Sequence, residues 1–353
     1  MGKIFIIVLT LLAAPLLGQH HGLWVVRNSL NSQKDLQQLN EIDQQLGLTD
    51  LYLQVRALGT NVYDQSNQNQ ILLDDIIEFC HQRQIKVHAW INVMYVWSKQ
   101  NPPAASDHTF NLEADHLMTN ADNDSPKLKL LRQKGVEGFF VDPGAFSNFN
   151  QIVSLSKSLI AELHFDGIHL DYLRYPGRGF IFSKYLRTQF MKRYYLDPIN
   201  LFKGFNQHIS WQKLYGNFLL NELNNFVENL RIELNNINNK SMLSVAVKPD
   251  MERAKTEYYQ DWLNWLQKGD CDYVLMMNYS PDDYEFIRNL DNAARTKLKD
   301  KIVCGIGAYY LDQKQLEQRM VLVQKSGLKG YALFSFTTLK EQPEILSLLN
   351  IKN

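Results

Sequence analysis

Apolar, strand-like runs alternate with amphipathic stretches from Gly22 almost to the end of the chain, and this alternation restricts the fold more than any other feature. The strand-like runs are GLWVVRN (22–28), DLYLQVRA (50–57), IKVHAWINV (85–93), GIHLDY (167–172), MLSVAVKPD (242–250), CDYVLMMNYS (271–280), KIVCGIGAYY (301–310) and GYALFSF (330–336). Helical periodicity falls between them at Leu36–Leu46, 71–83, Val153–Leu163, Tyr215–Leu234, Trp262–Leu266 and Leu316–Lys325, and a last helix is expected at Glu344–Leu349. Eight strands alternating with helices make a single (β/α)8 TIM barrel, an α/β fold. The rival, a doubly wound open sheet, needs a glycine-rich phosphate loop after its first strand, and none follows here. No repeat or linker divides the chain, so residues 19–353 read as one domain. A long polar loop after strand three, Tyr95 to about Asn148, leaves the catalytic face and is expected to wall or cover the site.

Two ends of the composition bound the function. Lys+Arg and Asp+Glu both total 37, so no basic surplus points to nucleic acid or anionic lipid. The apolar run Ile4–Leu17 is too short to span a membrane comfortably, which takes about 20 residues. It suits the core of a signal peptide, residues 1–18, with cleavage after Gly18 and export to the periplasm or outside the cell. No integral membrane segment is expected after its removal. Cys80, Cys271 and Cys304 are far apart in apolar contexts and read as buried free thiols, without metal spacing.

In a barrel of this kind the strands' C-terminal ends open into the active site. Polar residues recur there: Arg27; Gln54 and Arg56; His88, Trp90 and Asn92 at spacing two; His169, Asp171 and Arg174; Lys248 and Asp250; Asn278 and Tyr279; Tyr309. Any one alone could be a satisfied core group. Their convergence at one end points to a solvated cavity, since burying each unpaired costs several kcal/mol, roughly. Asp166 has the opposite parity to Asp171 and reads as a turn or cap residue. Aromatic residues near these ends, Trp24, Trp90, Tyr172, Tyr279 and Tyr309 among them, suit the apolar faces of sugars.

The run DGIHLDYLRYP (166–176), with VHAWINV before it and VDPG (141–144), DYVLMMNYS and GIGAY…KGYALFSF, resembles the glycosyl-hydrolase-like 10 family of exported bacterial TIM-barrel proteins. The resemblance extends from Gly22 to Phe336. Members are often lipoproteins, and this chain departs from them in having no Cys by the leader. The same run is similar to a chitinase-type strand-four motif, with Leu173 where that motif has its glutamate acid. The resemblance implies Asp171 as the main catalytic carboxylate and an oligo- or polysaccharide as substrate, with no cofactor.

Glycoside hydrolysis asks for a second carboxyl group to protonate the leaving oxygen. Asp250 is the first candidate, followed by Asp107, Glu113 and Asp115 of the long loop. Asp171 is expected to be kept ionised by Arg174 and Lys248, with His169 orienting it or binding a sugar hydroxyl. Two other readings fit the same residues. One is a glycan-binding barrel without a competent acid. The other is a metal-dependent hydrolase using His88, His169, Asp171 and Asp250.

Overall fold

A computed structural model describes residues 19–62, 69–122, 125–203 and 209–346. The leader expected at residues 1–18 lies outside these, as does the end of the last expected helix; Pro343–Leu346 forms a 3-10 turn.

Eight parallel strands close into a barrel. They are β1 (His20–Val25), β2 (Asp50–Ala57), β3 (Lys86–Asn92), β4 (Gly167–Asp171), β5 (Met242–Val247), β6 (Tyr273–Met277), β7 (Ile302–Gly307) and β8 (Gly330–Phe334). Each pairs in parallel with the next, and β1 pairs with both β2 and β8, which completes the ring. The main helices that follow the strands are α1 (Gln33–Leu46), α2 (Asn69–Gln82), α3 (Phe146–Ala161), α4 (Ile209–Ile237), α5 (Trp262–Lys268), α6 (Asp283–Ala294), α7 (Gln313–Ser326) and α8 (Phe336–Glu341).

Local chemistry sets the helix limits. Ser32 caps α1 by accepting from the Asp35 amide, and Gly47 ends it at φ 59°. Asp312 and Gln315 form a reciprocal capping box on α7, and Gly327 closes that helix at φ 76°. Leu36, Leu39, Ile42 and Leu46 recur at helical spacing on α1 and turn inward to the sheet.

The strands bury two different faces. Leu23, Val25, Leu51, Leu53, Ile168, Leu170, Val245 and Ile306 face the helices in one large apolar shell. The barrel interior is instead aromatic, built on Trp24, Tyr52, Trp90 and Tyr273 with Leu275, Val303 and Ala332. Gly305 leaves space for this: a Cβ there would lie 2.9 Å from the Trp24 ring.

A buried polar network fills the N-terminal end of the interior. Asp50 accepts from His88 Nε2 at 2.8 Å and from His20 Nδ1 at 3.0 Å. The Tyr52 hydroxyl lies 2.7 Å from His20 Nε2 and 3.0 Å from the Tyr273 hydroxyl. Burial lowers the His20 pKa to about 3, so this imidazole is neutral. Burial alone would raise Asp50, but the His88 hydrogen bond and the neighbouring imidazoles hold it below the usual carboxylate range.

The segment between β3 and α3 is more ordered than its polar sequence suggests. Tyr95–Trp97 pairs antiparallel with Phe139–Phe140, and short helices at Thr109–Leu112, Ala114–His116 and Leu128–Gln133 lie between them. Arg56 anchors it from β2. This side chain is 1% exposed, and its guanidinium donates to the Asn92 carbonyl, Thr109, Asn148 and Gln151 at 3.0–3.1 Å.

Candidate active site

The C-terminal mouth of the barrel holds a cavity of about 280 Å³. Its lining includes Trp24, Gln54, Trp90, Asn92, Glu137, Asp171, Tyr172, Arg174, Lys248, Tyr279 and Phe334.

Asp171 ends β4, and strand alternation turns it and His169 into the barrel while Ile168 and Leu170 face the helices. Asp171 is 8% exposed. Its Oδ2 accepts from Trp90 Nε1 at 3.1 Å and its Oδ1 from the Tyr172 amide at 2.6 Å. Burial raises its pKa. The Tyr172 amide, the Arg174 charge, the Trp90 bond and Lys248 oppose that shift without cancelling it. The neighbouring cations do pull this carboxyl toward its anion, as expected, but desolvation is the larger effect and the net shift is upward. Tyr172 also departs from simple alternation. It takes φ 52°, which ends the strand and brings its ring to the cavity. For a bulky residue such a backbone costs about 1–3 kcal/mol, and packing must hold it. Tyr95 (ring centroids 4.8 Å apart), Phe140 (5.8 Å) and the Arg174 guanidinium (5.1 Å) supply that packing.

Aromatic rings make the floor. Trp24 and Trp90 each meet Phe334 at 6.1 and 6.3 Å, and Tyr279 meets Phe334 at 5.5 Å. His169 sits under this floor. Its Nε2 accepts from Trp24 Nε1 at 3.1 Å, so its Nδ1 carries the proton and donates to Ser244 Oγ at 2.9 Å. Burial drives its pKa well below the ordinary value, and the ring is neutral. It therefore holds Trp24 in place, a different task from the expected orienting of Asp171 or binding of a sugar hydroxyl, and it is not among the cavity-lining residues.

The charged wall combines the loops that follow β4 and β5 with the inserted segment. Arg174 is 4% exposed and donates to Glu137 Oε1 at 2.9 Å and to the Tyr175 carbonyl at 3.2 Å. Glu137 is the acid that sequence reasoning missed. It lies two residues before the Phe139–Phe140 strand, in a segment with no periodicity that aims a side chain at the mouth. Lys248 is half-buried, and its ammonium stands 4.9 Å from the Tyr258 ring centroid. Burial and the Arg174 charge lower its pKa to about 8.

Several expected site residues stand elsewhere. Asp250 is brought neither to the cavity lining nor next to Asp171. Strand β5 stops at Val247, and Asp250 caps the helix Met251–Glu257 by accepting from the Arg253 amide at 3.0 Å. Pro249 carries no amide to continue a strand ladder, and Asp before MERAKTE is a helix-start signal, so the spacing of two from Lys248 misled. Glu113 binds the Ser147 amide and His116, Asp115 pairs with Lys184, and Asp107 is exposed; none lines the cavity. His88 is at the opposite end of the barrel with Asp50. Arg56 is fully engaged as an anchor. Asn278 turns outward to bind the Phe286 carbonyl and Asn289. Arg27 lies beyond β1, where its amide donates to Gln54 Oε1 at 3.2 Å. Tyr309 is half-exposed on the rim, 6.5 Å from the Tyr279 ring and outside the lining residues. Gln54, Trp90, Asn92, Asp171, Arg174, Lys248 and Tyr279 are the expected residues that meet in the cavity, with the aromatics Trp24 and Tyr172. The four residues of the metal reading do not converge, because His88, His169 and Asp250 are each bound in different places.

Comparisons with known proteins agree with this architecture. The family model described as glycosyl hydrolase-like 10 matches residues 22–321. No curated protein matches the chain. Among solved structures, the catalytic domain of a β-amylase from Paenibacillus polymyxa superposes with a TM-score of 0.60 at 13% identity, over 91% of this chain and 93% of that one. An α-L-fucosidase from Paenibacillus thiaminolyticus gives 0.63 at 10% identity, over 94% and 50%. A chitinase from Cycas revoluta in complex with (GlcNAc)4 gives 0.51 at 14% identity, over 93% and 98%. At such identities the likeness is one of fold.

Proposed function

The chain belongs to the glycosyl hydrolase-like 10 family, and from that premise we propose that it is an exported glycoside hydrolase that cleaves a polysaccharide or cell-envelope glycan with Asp171 and Glu137. The observation that carries the proposal is one cavity holding both carboxyl groups in different electrostatic settings above an aromatic floor. Export rests on the apolar run Ile4–Leu17. The resemblance in fold to enzymes that act on sugars, one of them holding (GlcNAc)4, supports a glycan as substrate.

The two settings suit two roles. Buried Asp171 holds its proton above the ordinary carboxylate range, as a general acid must. Glu137 faces the same cavity and is fixed by a bond to the Arg174 guanidinium at 2.9 Å. This reverses the sequence-based expectation, in which Asp171 was the anion and Asp250 the acid. In the reaction Asp171 protonates the leaving glycosidic oxygen as the C1–O bond breaks. Glu137 faces the developing oxocarbenium ion, either attacking C1 or activating water. Trp24, Trp90, Tyr279 and Phe334 offer the ring faces against which a pyranose stacks.

Purified protein assayed against a glycan panel that includes cell-wall strands, with new reducing ends as the readout, tests the proposal. Turnover that disappears in Asp171→Asn is the expected result. Binding of a glycan without any turnover would make this a glycan-binding barrel instead.

A further inference from the structure

We propose that Lys248 receives an anionic substituent of the substrate, so that the preferred glycan carries carboxylate or sulfate groups. The inference rests on reading the cavity as a glycan site, and deepens it by naming the substrate class. It begins from the pairing of the four charged groups in the lining. Arg174 is already paired: one nitrogen holds Glu137 at 2.9 Å, another holds the Tyr175 carbonyl, and the guanidinium lies 5.1–5.3 Å from the rings of Phe140, Tyr172 and Tyr258. Asp171 is satisfied by Trp90 and its own strand's next amide. The side chain of Lys248 is different. Among the described residues no hydrogen bond or ion pair to its ammonium is seen, and its closest recorded contact is the Tyr258 ring.

The half-buried Lys248 ammonium brings three donors to a site lined by rings, and a ligand that covers it must match them or leave them costly and unpaired. The backbone beneath is fixed: the Lys248 amide is tied to Gln260 Oε1 at 2.8 Å, and Gln260 is itself bound to the Leu173 and Ala246 carbonyls. The neighbouring cation Arg174 adds to the positive field, and Glu137 is already committed to it. An incoming anion would pair with Lys248 without displacing any bond present in the free protein. Neutral glycans would leave this ammonium unpaired and more deeply desolvated.

Affinity electrophoresis provides the test, using polygalacturonate and hyaluronan beside the same polymers after carboxyl reduction, and dextran sulfate beside dextran. Lys248→Met and Lys248→Arg variants are compared with the native sequence, and thermal unfolding confirms that each is folded. The expected result is retention of the carboxylated polymers at least tenfold stronger than of their reduced forms, loss of that difference in Lys248→Met, and its survival in Lys248→Arg. The dextran pair separates the sources: Lys248-dependent retention of dextran sulfate extends the site to sulfate esters, and its absence confines the site to carboxylates. Equal binding of charged and neutral forms, a preference that survives Lys248→Met, or no retention of any polymer overturns the inference. Reducing ends measured on the same polymers keep the two readings apart. Cleavage of neutral glycans without charge preference removes the role of Lys248 and leaves the hydrolase standing. Lys248-dependent retention without cleavage does the reverse.

Discussion

Replacing Asp171 by Asn tests the proton-donor role most directly. The substitution keeps size and shape but removes the transferable proton. Both carboxylate oxygens accept N–H bonds, at 3.1 Å from Trp90 and 2.6 Å from Tyr172. An amide offers one oxygen to these two donors, so one of them faces an NH2 group and loses its partner. That loss costs about 1–3 kcal/mol. Against it stands the desolvation that raises the Asp171 pKa, which a neutral amide does not suffer. The opposed effects leave the fold intact, with a midpoint of thermal unfolding within about 5 °C of the native protein. Catalysis has no such offset. Loss of a general acid removes about 10³-fold in kcat, near 4 kcal/mol, on a glycan whose leaving group must be protonated. The assay compares such a glycan with an aryl glycoside of the same sugar whose leaving group departs as a stable phenolate. On the activated substrate the loss should be under about tenfold, because protonation contributes little there. Equal losses on both substrates would refute the assignment and return Asp171 to the anionic role. Full activity on both would remove it from the reaction.

Glu137→Gln should lower kcat by about 10³-fold on both substrate types, with stability changed by less than about 1 kcal/mol because the lost ion pair is partly exposed; thermal unfolding and initial rates check the two halves. Asp250→Ala should leave kcat unchanged and cost about 1 kcal/mol in chemical denaturation, the value of a helix cap. Asp50→Asn should destabilise the barrel by about 3 kcal/mol, since it breaks a buried charge network. The depressed folded pKa of Asp50 gives stability that is present above the unfolded carboxylate pKa and lost as pH falls through the folded one, so the deficit of the variant should shrink in strong acid. The pH dependence of kcat and KM should separate. As pH rises, kcat falls through the raised pKa of Asp171, which must be protonated to act. KM for a charged glycan rises near pH 8 as Lys248 loses its proton in the company of Arg174, Glu137, Asp171, Arg253 and Tyr258, and Lys248→Met should lack that second change.

Strand order and count were legible because each barrel strand is a short apolar run bounded by polar residues. The inward parity of His169 and Asp171 followed from the same pattern. Parity failed where a strand stopped early: Lys248 and Asp250 share a face only if β5 continues past Val247. There Pro249 redirects the chain, and the outcome depends on which backbone groups find partners. Asn278 is a different case: it has the parity of Val274 and Met276, which face the helices, so alternation itself turns it outward. Spacing along one strand also does not say at which end of the interior a polar residue lies. His88 and Trp90 share a face, yet one bonds Asp50 at the N-terminal end and the other Asp171 at the mouth. Glu137 was illegible for another reason. It reaches the cavity through a small two-stranded sheet docked on Tyr172, a long-range contact that no local pattern encodes.

Because His20 is locked to Asp50 and Tyr52 at the N-terminal end of the barrel, the backbone just ahead of β1 leaves on the side opposite the cavity. A protein held by a handle joined ahead of Gln19 would therefore stand with its cleft facing away from the support. Coupled to a bead through such a handle, it should reach dissolved polymer as freely as it does in solution, whereas coupling through a cysteine placed at Tyr309, on the rim, should shut the polymer out.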